Sequence, residues 1–328
     1  MILNYPLNEA LEKEAQNFIF DSLEVSFTIQ KFEISVSNIS IQIQDSLPEE
    51  ELKKLIKNLI YISSSIGKNI LFENNINLSL SEDPMPHLLN SNQVKDISRG
   101  IFMFQGVFLS IFSSLNQYLK DLAVNKFSAV EQEYPTIWPI DLFKKINYLK
   151  EFPHQTILTT TVKDNYKDRK SFANKYSNLN EYDKVKIDDN LDDCLYGLGP
   201  SVCNTCYYAL SNEKTHKNTI YTTYNKVFRN ESSKTNSLDR LMNFSVRDIM
   251  FVGDEQFVLA TRQKLIDELI HLISFFEIDC KIESANDPFF SNDIARKLFQ
   301  YSFGLKYELL ASIPPVSYTH LRAHETRH

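Results

Sequence analysis

Residues 227–253 read VFRNESSKTNSLDRLMNFSVRDIMFVG, and this stretch decides the fold. Two β-prone runs flank a polar loop rich in Ser, Asn, Lys and Asp. Side chains alternate along a strand, so Arg229 and Glu231 share a face. Arg240 and Phe244 follow the loop, giving the order FRxE, loop, RxxxF. A planar guanidinium suits a phosphate, a carboxylate suits an amino group, and an aromatic ring suits a stacked base. An Arg and a Glu two apart on a strand are, taken alone, more often a surface ion pair. The loop and the RxxxF after it turn the balance toward an ATP site.

The sequence before and after this stretch divides in two. Residues 23–43, LEVSFTIQKFEISVSNISIQI, alternate apolar and polar, the period of strands with one buried face. Ser46 and Pro48 then precede acidic residues and the helically spaced Leu52, Leu55, Ile56, Leu59 and Ile60. The breaker-rich SEDPMPHLLNSN at 81–92 closes a small α+β domain, 1–90. A second domain, 91–315, opens with a Pro-free Ile, Phe and Leu-rich stretch at 93–126 that predicts one long helix, apolar over much of its surface. Prolines 135, 139 and 153 break helices around EYPTIWP, and TILTTTV at 156–162 reads as strand. Residues 163–190 read as a solvated insertion, and 255–276 as a clear helix. The ending, 316–328, is basic and His-rich and resembles translated sequencing-adapter DNA, so it is set aside, with the natural frame ending near Ile313 or Pro314. Read otherwise, it is a weakly metal-binding tail.

Composition excludes several classes. Lys and Arg number 35 against 42 Asp and Glu, a net charge of -7, which disfavours a general nucleic-acid binder. No apolar run approaches a membrane span and the start lacks the order of a leader, so a cytoplasmic protein is expected. With 43% hydrophobic residues the chain has enough for real cores. Four cysteines, Cys194, Cys203, Cys206 and Cys280, are too few for a disulfide scaffold. The Cys203 and Cys206 pair suits a redox motif only if it opens a helix, and a structural zinc site only with a second close pair, so buried thiols are the default. Neither GxGxxG nor GxxxxGK[ST] occurs among the 7 glycines, so ATP would be held by another design.

The FRxE, loop, RxxxF arrangement resembles motif 2 of the class II aminoacyl-tRNA synthetases. Together with EYPTIWP, INYLKEFPHQ, LGPSVCNTCYY, RDIMFVG, ESANDPFF and LKYELLASIP, it resembles the amino acid:[carrier protein] ligases, truncated relatives of the methanogen-type seryl-tRNA synthetases. The resemblance runs over roughly 129–314 and does not include residues 1–90. It implies an α+β fold, an antiparallel sheet flanked by helices, with the small N-terminal α+β domain placed before it. It further implies ATP-dependent activation of a small amino acid, glycine or alanine, as the aminoacyl-adenylate, and transfer to the phosphopantetheine thiol of a carrier protein.

By the same resemblance Arg229 is the catalytic contact to the α-phosphate and the amino-acid carboxylate. Glu231 lies near the adenine amino group, Phe244 stacks on adenine, Arg240 approaches the outer phosphates, and Glu308 binds ATP with Mg2+. Zn2+ would take Cys203 and Asp248, an aspartate where relatives have glutamate. A third ligand belongs to a later block that this chain lacks, as does the arginine of motif 3, so the chain alone is expected to be inactive. The long apolar helix resembles motif 1 and implies a homodimer, while tRNA is not the expected partner. Two alternatives stand beside this reading: a seryl-type aminoacyl-tRNA synthetase, and a non-catalytic amino-acid-binding paralogue.

Overall fold

The computed structural model describes the chain except residues 25, 46, 66–68, 75–82, 178–183, 214–216, 231–237, 239, 277–278, 286, 288, 291–299, 301–303, 314–315 and 325–328. For 13, 14, 17, 21, 65, 312–313 and 316–324 the backbone alone is described. In chain order the elements begin β1 (Ile2–Pro6), α1 (Lys13–Glu24), β2 (Ile29–Ile34), β3 (Asn38–Ile43), α2 (Glu49–Ser65), β4 (Ile70–Asn74) and α3 (Met85–Asn90). They continue with β5 (Val94–Ser98), β6 (Ile101–Phe104), α4 (Gly106–Asp121), β7 (Val130–Glu131), β8 (Ile137–Pro139), α5 (Ile140–Lys145), α6 (Tyr148–Glu151), β9 (Leu158–Thr159) and α7 (Tyr166–Tyr176). Last come β10 (Tyr196–Leu198), α8 (Cys203–Leu210), β11 (Thr219–Phe228), β12 (Asn243–Val252), α9 (Glu255–Phe275), β13 (Cys280–Ser284), β14 (Lys306–Ile313) and β15 (Val316–His324).

The chain forms two compact units. The first comprises Met1–His87, Lys150–His154 and Ala260–His328. Its antiparallel sheet β1-β3-β2 carries Ile39, Ile41 and Ile43 on one face, buried because β3 alternates with period 2. Against them pack Leu52, Ile56, Leu59 and Ile62 of α2, spaced three and four apart. Three glutamates in its first turn suit the positive end of α2. The alternation expected from residue 23 starts only at Ile29, because Leu23 lies in the last turn of α1 and packs into the same core. A second sheet, β15-β14-β13-β4, belongs to this unit, and residues 316–324 form its edge strand β15.

The second unit comprises Leu88–Leu149 and Gln155–Leu259. The single long helix expected over 93–126 is instead the hairpin β5–β6 followed by α4 and a π-helical turn at Leu122–Lys126. Gly100 (φ +69°) makes the turn and Gly106 (φ +63°) the entry to α4, conformations that a helix cannot contain. Within the solvated stretch 163–190, α7 starts where the Asn165 side chain accepts a hydrogen bond from the Asp168 amide at 2.9 Å, and it buries no side chain. The three-stranded sheet β8-β10-β9 holds Trp138, 1% exposed, against Phe143 at 5.3 Å between ring centroids. Among the described residues no helix is long and apolar enough to cross a membrane.

A β-carbon at Gly199 would lie 2.7 Å from Trp138 Nε1, so Gly199→Ala must displace the ring. The substitution is expected to cost about 1–3 kcal/mol. Urea unfolding followed by the chain's sole tryptophan reads this directly, and an unchanged midpoint would contradict the packing.

In the first unit, His154 lies 6.3 Å from Phe152 and 6.3 Å, stacked, from Phe290. Neither of its ring nitrogens has a hydrogen-bond partner among the described residues, and burial lowers its pKa from 6.5 to about 4. A depressed histidine favours the fold above its unfolded pKa, and that contribution disappears as pH falls from 6.5 to about 4. Thermal melts should therefore weaken across this window, and His154→Phe should flatten the slope; an equal slope in both proteins would refute the assignment.

Candidate active site

The site is built on the ten-residue antiparallel pairing of β11 with β12, whose register runs from Thr219 opposite Val252 to Phe228 opposite Asn243. Directly paired residues share a face, so Thr223 with Asp248 and Val227 with Phe244 line one side. Thr222, Tyr224, Ser245 and Arg247 line the other. One further bond, from the Arg229 amide to the Met242 carbonyl at 3.0 Å, extends the hairpin toward its loop.

Arg229 is held by its guanidinium group. Its Nε donates to the Pro200 carbonyl at 3.0 Å, and its guanidinium carbon sits 5.4 Å from the centroid of Phe244. The Phe228 amide donates to the Gly199 carbonyl at 2.9 Å, which lays the turn before α8 along the hairpin. Helix α8 then begins at Cys203, whose amide donates to Asp248 Oδ2 at 3.1 Å. A carboxylate on the neighbouring strand thus satisfies a first-turn amide that has no intrahelical partner. The Cys203 thiol is pushed up to about 12, first by burial and then by Asp248, with Ser201 and Arg229 opposing. Burial also raises the Cys206 thiol, while a hydrogen bond with Tyr134 lowers it in part.

The structure therefore brings Arg229, Phe244, Cys203 and Asp248 together in the second unit. Arg240 is exposed beyond the loop, and Glu231 lies outside the described residues. Glu308 belongs to the first unit, on β14, where it is buried, faces Glu283 across the strands and pairs with Lys306 at 2.7 Å. Lys306 also reaches Asp287 at 3.1 Å. Among the described residues no three His, Cys, Asp or Glu side chains are grouped to hold a metal ion. Cys203 and Asp248 are two donors of the right chemistry, but two protein ligands do not complete a zinc site. The Cys203 and Cys206 pair does open a helix, yet both thiols are shifted away from the thiolate form a redox pair uses, and β10 before it pairs antiparallel on both sides.

Sequence reasoning missed Arg247, Thr222 and Asn116. Arg247 is nearly buried, 5% exposed, and its Nε donates to Asn116 Oδ1 on α4 at 2.7 Å. Alternation along RDIMFVG places Arg247 and Asp248 on opposite faces, but the partner 131 residues earlier leaves no local signal.

The fold is that of the class II synthetases. A solved structure of M. kandleri SerRS, in complex with A. aeolicus tRNASec, superposes on 99% of this chain and 67% of that one, with a TM-score of 0.68 and 13% identity. In sequence the chain is homologous to the methanogen-type seryl-tRNA synthetases. It is 23% identical to the type-2 serine–tRNA ligase of Methanocaldococcus jannaschii over 58% of this chain and 37% of the relative. It is 21% identical to that of Methanococcus maripaludis over 85% of this chain and 54% of the relative. The chain thus spans about a third to a half of the length of the curated relatives it matches. No protein-family model matches it.

These relatives correct two expectations. They are ligases named for serine and tRNA, so activation of glycine or alanine for a carrier-protein phosphopantetheine is withdrawn as the function. The carrier protein is withdrawn as the partner, and with it the expectation that tRNA is not one, because the superposed synthetase is in complex with a tRNA. The match over 85% of the chain is also longer than residues 91–328, so it reaches into the first 90 residues that the resemblance had left out.

Removing the Asp248 charge relieves one of the two causes that raise the Cys203 thiol. Asp248→Asn should accelerate alkylation of Cys203 at pH 9, followed by peptide mass spectrometry; slower or unchanged labelling would show that the carboxylate does not act on the thiol.

Proposed function

We propose that this chain carries the amino-acid-activating core of a serine–tRNA ligase. The observation that carries the reading is the Arg229 guanidinium stacked on Phe244 beside the Cys203 and Asp248 pair, in a chain whose homologues bear that name. Serine and ATP would react by attack of the serine carboxylate oxygen on the α-phosphorus. The bond from that phosphorus to the bridging oxygen of pyrophosphate breaks, giving seryl-adenylate. Arg229 neutralises charge on the α-phosphate and orients the carboxylate, so positioning and electrostatics carry the step without a protein nucleophile. Phe244 stacks on adenine, Glu231 meets its amino group, and Arg240 takes the outer phosphates. Cys203 and Asp248 would supply two donors to a zinc ion. The seryl group then passes to tRNA, a reading supported by a fold match that includes the N-terminal unit. A cytoplasmic location accompanies it.

A homodimer through α4 belongs to the same proposal. Val107, Ile111, Leu115 and Tyr118 are 63%, 63%, 38% and 46% exposed and form one apolar stripe along the helix. Ile111→Glu should convert a dimer to a monomer by light scattering after size exclusion; a wild-type monomer would remove this part of the proposal.

The activity is tested by serine-dependent exchange of labelled pyrophosphate into ATP, with the later block that the resemblance implies restored, since the chain alone is expected to be inactive. Serine, and not glycine or alanine, should support exchange, and Arg229→Ala should reduce it by about 10²–10³. Exchange driven by glycine or alanine alone would overturn the serine assignment.

A further inference from the structure

We propose that Arg247 is a positioning residue for Asp248, linking α4 to the amino-acid side of the hairpin through the Thr222 hydroxyl; the inference rests on the reading of Asp248 as part of that site. Asp248 and Arg247 are neighbours on β12 whose side chains leave opposite faces of the strand pair. On the α4 face, Arg247 Nε donates to Asn116 Oδ1 at 2.7 Å and Nη1 to Thr222 Oγ1 at 3.3 Å. The Thr222 hydroxyl in turn donates to the Asp248 carbonyl at 2.9 Å. One chain of hydrogen bonds therefore runs from α4 to the backbone of the residue whose carboxylate caps Cys203 on the far side.

Two further contacts make the guanidinium a fixed point. It lies 5.6 Å from the centroid of Tyr224, whose ring also faces Phe112 of α4 at 6.5 Å. Glu131 of β7 lies 3.8 Å from Nη1, and the same carboxylate receives Lys120 of α4 at 2.6 Å. With its side chain only 5% exposed, Arg247 is desolvated, so losing one partner cannot be made good by water. Neighbouring partners of this kind set how precisely a functional carboxylate is aimed. Because Asn116 and Phe112 face inward while Val107, Ile111 and Leu115 face outward on the same helix, disturbance of α4 reaches Asp248 through Arg247.

The test compares the wild-type chain with Thr222→Val, which removes the hydroxyl at constant shape, and Thr222→Ser, which keeps it. Asn116→Ala and Asn116→Asp form the second pair, the aspartate retaining an acceptor for Arg247. Iodoacetamide labelling at fixed pH, mapped by mass spectrometry, should show Cys203 reacting about tenfold faster in Thr222→Val and Asn116→Ala. Cys206 and Cys280 should be unchanged, and the Ser and Asp variants should keep the slow rate. Melting temperatures should fall by no more than about 2–4 °C. In pyrophosphate exchange the same two variants should raise the serine KM about tenfold, with the ATP KM and kcat held within about twofold.

Equal acceleration at Cys203, Cys206 and Cys280, no acceleration at Cys203, or equal changes in the serine and ATP KM values would overturn the proposal. A protein with the later block restored that shows no serine-dependent exchange would count against the activation reading instead, and the labelling pattern would still decide the link between Arg247 and Asp248.

Discussion

The register of β11 against β12 is the constraint on which the rest of the second unit depends. Strand side chains have a period of two, so a slip of one residue would exchange the faces along all ten pairs. Asp248 would then leave the amide of Cys203 and point at α4, and Arg247 would enter the site as an unpaired cation. Phe244 would leave Arg229 in the same movement. The register is pinned from both sides, by the Asp248 cap on α8 and by the hold of Asn116 on Arg247. The polar network is therefore also what specifies the apolar packing between α4 and the sheet.

Electrostatics explain the division of labour within the site. Asp248 and Arg229 both act on the Cys203 thiol with opposite sign, and burial together with the carboxylate prevails. In the first unit the buried Lys306 lies between Asp287 and Glu308 and neutralises carboxylates that would otherwise be costly to bury together. Net charge describes the field far from the surface and says little about a local RNA contact. That is why a value of -7 pointed away from tRNA while the relatives point toward it.

Much of this was legible in the sequence where a local period operates. Helices α2 and α9 follow from apolar residues three and four apart, and the hairpin follows from two β-prone runs around a polar loop. The hairpin β5–β6 was hidden because the Ile, Phe and Met run of β6 shares its composition with a buried helix, and the positive φ of Gly100 and Gly106 separates the two. At the site, Arg229 and Phe244 belong to one motif and were visible together. The meeting of Cys203 with Asp248 was legible only through a family resemblance, since 45 residues separate them. Arg247 was silent for a stronger reason: an arginine in a strand reads as solvent-facing until the helix that covers it is known.

The central claim is that the face carrying Arg229, Phe244, Cys203 and Asp248 receives seryl-adenylate. Calorimetric titration of the 328-residue chain with a non-hydrolysable seryl-adenylate analogue tests it most directly. The account predicts binding that Arg229→Ala abolishes and Phe244→Ala weakens by about 1–3 kcal/mol, the worth of one base stacked on an aromatic ring. Binding of equal strength in wild type and both variants would place the ligand elsewhere and contradict it.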